Sequence, residues 1–299
     1  MKVVVAGGSG SLGRRLCDRL ADRGHEAVVL TRTPRPGRHR QVAWDGRTVG
    51  DWAAELDGAA VVNLAGELVD RRPTPANIEL LTRSRVEPTR ALVAAAREVP
   101  VWVQMSTLAI YGDAGETELV EGSPPADGPP QMADVAKAWE AAVHGAPAGR
   151  FVVLRTGIVL DRDSPAFDRL TGLTRWGLGG RIASGRQWIS WLHVDDWLRI
   201  VEECLEGDVG GIVHATGPRP VRNAELMATL RRVLRRPSSP PTPAWAVRLG
   251  AVALRTDPAL ALTGRRALPA VLLERGFAFE HPDLEETLRD LLHGSVPAP

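Results

Sequence analysis

The chain opens on four consecutive apolar residues, Val3, Val4, Val5 and Ala6, with nothing polar among them. A half-exposed strand would alternate, so this unbroken run predicts a strand covered on both faces. The period then changes. Leu12, Leu16 and Leu20 recur every four positions until Gly24, which predicts one amphipathic helix. Between the two lies a glycine cluster, Gly7 to Gly13, with Gly8, Gly10 and Gly13 in G-x-G-x-x-G spacing. The stretch reads as strand, tight turn, helix.

The same alternation runs on. Strands are expected over residues 27–31, 59–64, 101–105 and 151–156, the last continued to Leu160, with shorter ones over 42–45 and 212–215. Helices are expected over 75–97 and 131–144, with a short one over 51–56. Asp195 is expected to cap a helix reaching Glu206, and Asn223 one reaching Arg235. Residues 237–243 are too rich in proline for helix or central strand and make a connector. Helical pieces follow over 245–254, 268–275 and 284–292. Strand and helix in alternation predict the α/β class: a doubly wound parallel sheet with a smaller, mostly helical C-terminal lobe.

Composition narrows the partners. The 299 residues carry a formal net charge of +1, and no overall field points to nucleic acid or membrane. The run Arg231, Arg232, Arg235 and Arg236 lacks interleaved aromatics and reads as a solvated helix face. No stretch approaches about 18 uninterrupted apolar residues, and the opening apolar run is too short for a signal peptide. Cys17 and Cys204 read as buried thiols in a reducing compartment, with no metal site expected. The expected location is the cytoplasm, and assembly into a homodimer is left open.

The glycines carry the first chemistry. Gly7 and Gly8 turn the backbone sharply, Gly10 admits a pyrophosphate against bare backbone, and Gly13 lets helix and strand pack closely. Free amides at the helix start face the anion. At Leu64, Ala65 and Gly66 a strand runs into a loop whose small residues, Ala65 and Gly66, let a cofactor pass close to backbone. The strand over 27–31 ends on Arg32 with no acid beside it, and a guanidinium suits a ribose 2′-phosphate where a carboxylate would repel it. The reading is a Rossmann-type domain binding NADP over residues 1–160, with contributions from about 192–216. Residues 161–299 form the substrate side and C-terminal lobe.

The doubled glycine of GGSGSLG resembles the extended short-chain dehydrogenase/reductase superfamily. Further segments resemble its atypical epimerase-family branch, the cell-division-inhibitor-like or sugar-nucleotide-epimerase-like proteins with their own C-terminal domain. They are NLAGE at 63–67, Ser84-Arg85, Tyr111-Gly112, Trp139-Glu140, LRTGIVL at 154–160, GRQWISWLHVDD, PVRNAE at 220–225, and RALP before GFAF. The resemblance implies a Rossmann fold holding NADP and adds cofactor contacts at Ser11, Leu12, Arg85 and Ile158. That superfamily protonates its substrate through Tyr-x-x-x-Lys. The single tyrosine here, Tyr111, has Gly115 four residues on, and Lys137 has Ala133 four residues before it, so the pair is absent.

Two functional readings follow. In the first, an NADP-dependent oxidoreductase or epimerase-like enzyme moves hydride to or from a small carbonyl or sugar-like substrate, with Ser106 polarising the oxygen and Tyr111 supplying the proton. Ser106 can equally satisfy a buried strand end, Tyr111 can line the pocket without proton transfer, and His193 reads as structural at its helix start. In the second, the protein senses NADP(H) without turnover.

Overall fold

Alternation inside the first strand sets up the layers. Val3 and Val5 pack with Leu16 and Leu20 on one face, while Val4 and Ala6 pack with Val28, Leu30 and Trp102 on the other. In the computed structural model, residues 1–294 are described. The elements in chain order are β1 (Lys2–Ala6), α1 (Ser11–Asp22), β2 (Glu26–Thr31), β3 (Arg40–Ala43) and β4 (Ala60–Asn63). Next come α2 (Pro75–Ala95), β5 (Val99–Thr107), β6 (Glu118–Leu119), α3 (Val135–Ala141), β7 (Ala148–Thr156) and β8 (Ile158–Leu160). The chain continues through α4 (Pro165–Arg175), β9 (Trp188–Ile189), β10 (Trp191–His193), α5 (Val194–Glu206) and β11 (Gly211–Ala215). It ends with β12 (Val221–Arg222), α6 (Asn223–Val233), α7 (Ala244–Leu254), α8 (Ala259–Leu262), β13 (Arg266–Ala267), α9 (Ala270–Glu274) and α10 (Leu284–His293).

Seven strands form one parallel sheet in the order β11-β7-β5-β4-β1-β2-β3. The order reverses direction at β1, so the carboxyl ends of β1 and β4 open a crevice at the switch point. Helices α1 and α5 cover one face through Leu16, Leu20, Trp197, Ile200 and Val201, all buried. A separate core of Phe167, Trp191, Leu226, Leu230, Leu288 and neighbours holds α4, α6 and α10 together in the C-terminal part.

Several local expectations change. The helix expected over 131–144 is a wide π turn, Pro130–Asp134, running into α3, and it ends early because Gly145 takes the left-handed conformation at φ +81°. Asp195 does not cap α5. His193 does, its Nδ1 accepting the Asp195 backbone N–H at 3.0 Å, which is a structural role at the helix start. Asn223 does not cap α6 either: its Oδ1 accepts from the Ile182 backbone N–H at 2.8 Å and pins the glycine-rich loop. The helix expected from Leu268 begins at Ala270, since the residue before Pro269 is steered away from helix and Leu268 N–H bonds to Leu119 O instead.

Candidate cofactor cleft and active site

The turn after β1 is built on bare backbone. Gly7 has φ +79°, and a Cβ there would lie 2.9 Å from the Leu64 carbonyl carbon and oxygen. A Cβ on Gly13 would stand 2.6 Å from Gly7 O and Gly8 Cα, so α1 can approach β1 only without a side chain. Gly10 precedes α1 with no side-chain cap, which leaves first-turn amides to an outside anion. These glycines open on a cleft of about 1480 Å³ lined by Gly7, Gly10, Arg32, Leu64, Ala65 and Gly66, all singled out from the sequence. Ser11, Leu12 and Gly13 are not on its wall: Gly13 is buried against the turn, and Leu12 packs against the core.

Arg32 is largely exposed at the end of β2, 3.4 Å from Glu67 Oε1. An acid the sequence reading overlooked, Asp45, lines the same cleft. Its carboxylate is turned into its own loop, where the Thr48 backbone N–H and hydroxyl and the Arg47 N–H hold it down at about 2. The cleft therefore presents an exposed guanidinium, held among the described residues only by a long contact to Glu67, beside an acid already occupied, which fits a phosphorylated ribose better than a bare diol.

Gly66 separates this cleft from a second cavity. A Cβ on Gly66 would touch the Arg85 guanidinium at 3.1 Å, and Arg85 belongs to the second wall. That cavity, about 270 Å³, is walled by Leu108, Met132, Trp139, Ile158, Trp188 and Ile189 among others. Ile158 is 47% exposed although it lies on a strand, and its side chain forms part of this cavity wall. Arg85 and Ile158, expected as cofactor contacts, thus sit together on this wall and not in the glycine cleft. Burial pushes both Arg85 and Arg265, another wall residue, down to about 10.

Ser106 and Tyr111 are brought together, but neither lines the cavity. Ser106 Oγ donates to Glu140 Oε1 at 2.5 Å, and Arg155 clamps the same carboxylate through Nε at 2.9 Å and Nη2 at 2.8 Å. Arg155 Nη1 donates to the Tyr111 hydroxyl at 2.7 Å, which donates in turn to His214 Nε2 at 2.7 Å, with His214 Nδ1 bonded to Leu268 O. Burial raises the Tyr111 phenol and lowers the His214 imidazole, so both stay neutral. The network joins β5, α3, β7 and β11 to the C-terminal segment.

Of the hydroxyls on the cavity wall, Thr156, Ser190 and Thr263 already donate to Met105 Sδ, Arg265 O and Ala259 O, which leaves Thr107, one residue further along β5. Its Oγ1 accepts from the Ala109 N–H at 3.1 Å, which leaves its own proton to donate. Strand alternation was the signal: adjacent residues face opposite sides, so Ser106 and Thr107 cannot both point at one cavity. Lys137 also lies off the site, its Nζ held by Asp134 at 2.8 Å and Ala126 O at 3.1 Å. The π turn and α3 face the cavity with Met132 from the former and Val135, Ala136 and Trp139 from the latter.

Residues 3–155 match the family model described as NAD dependent epimerase/dehydratase family. The chain belongs to that family. Residues 242–291 match a second model, Domain of unknown function (DUF1731). Among family relatives, epimerase family protein SDR39U1 of Homo sapiens is 33% identical across 98% of this chain and 100% of its own length. A Mycobacterium tuberculosis epimerase family protein is also 33% identical, over 96% of each chain. The crystal structure of human SDR39U1 with NADPH aligns at TM-score 0.85 and 32% identity, covering 97% of this chain and 99% of that one. A nucleoside-diphosphate sugar epimerase from Corynebacterium glutamicum aligns at TM-score 0.77 and 29% identity over 98% of this chain and 58% of its own. No helix among the described residues is long and apolar enough to cross a membrane.

Proposed function

We propose that this epimerase-family chain binds NADP(H) along the glycine cleft, with the nicotinamide end at the second cavity, and catalyses hydride transfer with a small carbonyl compound there. The observation that carries the reading is the bare-backbone turn at Gly7, Gly10 and Gly13, opening on a cleft whose wall residue Gly66 packs against Arg85 on the wall of a mostly apolar cavity. The human relative solved with NADPH supports it. When bound, the nicotinamide supplies or accepts the hydride.

The chain's own residues do the rest. Thr107 Oγ1 donates to the substrate oxygen as charge develops on it, Trp139 and Ile158 exclude water, and Arg32 holds the 2′-phosphate. With no Tyr-x-x-x-Lys pair, the alkoxide left by hydride addition is held by the Thr107 hydroxyl and takes its proton from solvent as the product leaves. Loss of reduced-cofactor absorbance over a panel of aldehydes and ketones tests turnover. Thr107→Val should lower it about a hundredfold. Ser106→Ala should leave turnover within about threefold but cost about 1 kcal/mol of stability, because Glu140 loses one donor. The reverse order would return the catalytic role to Ser106.

Cofactor choice is tested by Arg32→Asp, which should weaken NADPH about a hundredfold and NADH by far less. Equal weakening would show that Arg32 does not read the phosphate. A second reading, an NADP(H) sensor without turnover, is favoured by one observation: Asp257, the single carboxyl on the described cavity wall, is already engaged by Gln131 Nε2 at 3.0 Å and the Ala259 N–H at 2.8 Å. Tight NADPH binding with no turnover on any carbonyl would decide for it.

A further inference from the structure

Six buried side-chain nitrogens and oxygens find no hydrogen-bond partner among the described residues, and three belong to the wall of the second cavity: Arg71 Nε, Trp139 Nε1 and Arg265 Nε. All three are donors. The single unpartnered oxygen of the six, Glu121 Oε2, is not on this wall. Buried donors gathered around one space and lacking acceptors call for a ligand that brings acceptors.

Charge points the same way. Arg71, Arg85 and Arg265 line the cavity against the one carboxylate of Asp257, which backbone and amide donors already hold. Glu67 answers Arg71 at 3.1 Å. Arg85 donates to the carbonyls of Leu81 and Glu67, and the Glu67 carboxylate, shared with Arg71, offsets its charge only in part. Among the described residues Arg265 donates only to Met132 Sδ at 3.3 Å and Thr263 Oγ1 at 3.2 Å, both through Nη2, and the one acid acting on it, Asp113, makes no hydrogen bond to it. An arginine desolvated to this degree is poised for an anion, and its fork matches a carboxylate. The remaining wall is mostly apolar, broken by the Gln131 amide and by hydroxyls such as that of Thr107, and about 270 Å³ lies just under the usual range of roughly 300–1,000 Å³ for ligand pockets.

We infer that the cavity takes a small carbonyl compound with an apolar body and one carboxylate, anchored by Arg265 with Arg71 and Arg85 beside it, and that nucleotide sugars are excluded by size. This names the substrate class for the hydride-transfer reading and rests on it for the carbonyl, while the carboxylate rests on the arginines alone.

Titration calorimetry of the NADPH-loaded protein with 2-oxohexanoate, the uncharged 2-oxohexanamide and UDP-glucose tests it. The acid should bind at least about tenfold tighter than the amide, and UDP-glucose should bind weakest. Arg265→Gln should remove that preference, and Arg265→Lys, which keeps the charge without the fork, should restore part of it. NADPH affinity and melting temperature of each variant report whether it is folded. Should Arg265→Gln fail to fold, Arg71→Gln takes its place. Equal binding of acid and amide, no binding of the acid, a folded Arg265→Gln protein that keeps the preference, or tighter binding of UDP-glucose overturns the inference. NADPH is titrated first by itself. If it does not bind, the cofactor reading fails, and the same acid and amide comparison on the unloaded protein still decides this one.

Discussion

Glu140→Gln is expected to lower stability by about 3–5 kcal/mol, a fall in melting temperature on the order of 10 °C. Arg155 has a side chain only 3% exposed, and Glu140 is the one carboxylate that holds it, through two parallel hydrogen bonds. Neutralising the acid strands a buried cation; Arg155→Met strands a buried anion and should cost a similar amount. The double variant Glu140→Gln with Arg155→Met leaves neither charge behind. It should lose less than the sum of the two single changes, by a coupling of about 1–3 kcal/mol. Thermal unfolding of the four proteins closes the cycle, and strictly additive losses would show that the pair is not coupled. Ser106 and Tyr111 hang on this clamp, so their substitution should read out chiefly in stability.

Gly7→Ala should weaken NADPH binding about a hundredfold or more. Two costs combine at this position: a left-handed backbone, about 1–2 kcal/mol for any residue with a Cβ, and a collision 2.9 Å from the Leu64 carbonyl, which is itself a cleft wall. Gly24 separates them. It has the same φ of +79° with nothing within 4 Å of its absent Cβ, and it lies outside the cleft. Gly24→Ala should therefore lose stability alone and bind NADPH normally by calorimetry. Normal NADPH binding by Gly7→Ala would remove the glycine turn from the cofactor site.

The parallel sheet and the cofactor cleft were legible because their signals are local. An apolar run, three glycines at fixed spacing and an arginine at a strand end lie within a few residues of the backbone they shape. Ser106 was harder, because which of two adjacent hydroxyls faces a cavity depends on strand register against β4 and β7, and that is set by residues far along the chain. Asp195 and Asn223 have good capping chemistry, yet both lost the position to a neighbour, His193 or Arg222. Arg71, Arg265 and Asp257 converge on one cavity from segments almost 200 residues apart, and no spacing in the sequence announces that.

The edge strand β11 has a consequence for synthesis. Residues 211–215 seal the open side of β7, whose last five residues are buried, and Arg150 of β7 binds the carbonyls of Cys204, Leu205 and Val209 just upstream. A nascent polypeptide stopped near Leu160 would thus leave the five residues Val152–Thr156 without a partner on that edge, a template for intermolecular pairing. Ribosomes must deliver roughly the first 215 residues before the dinucleotide half can close, so fragments ending at Leu160 should aggregate and those extended through Thr216 should remain dispersed.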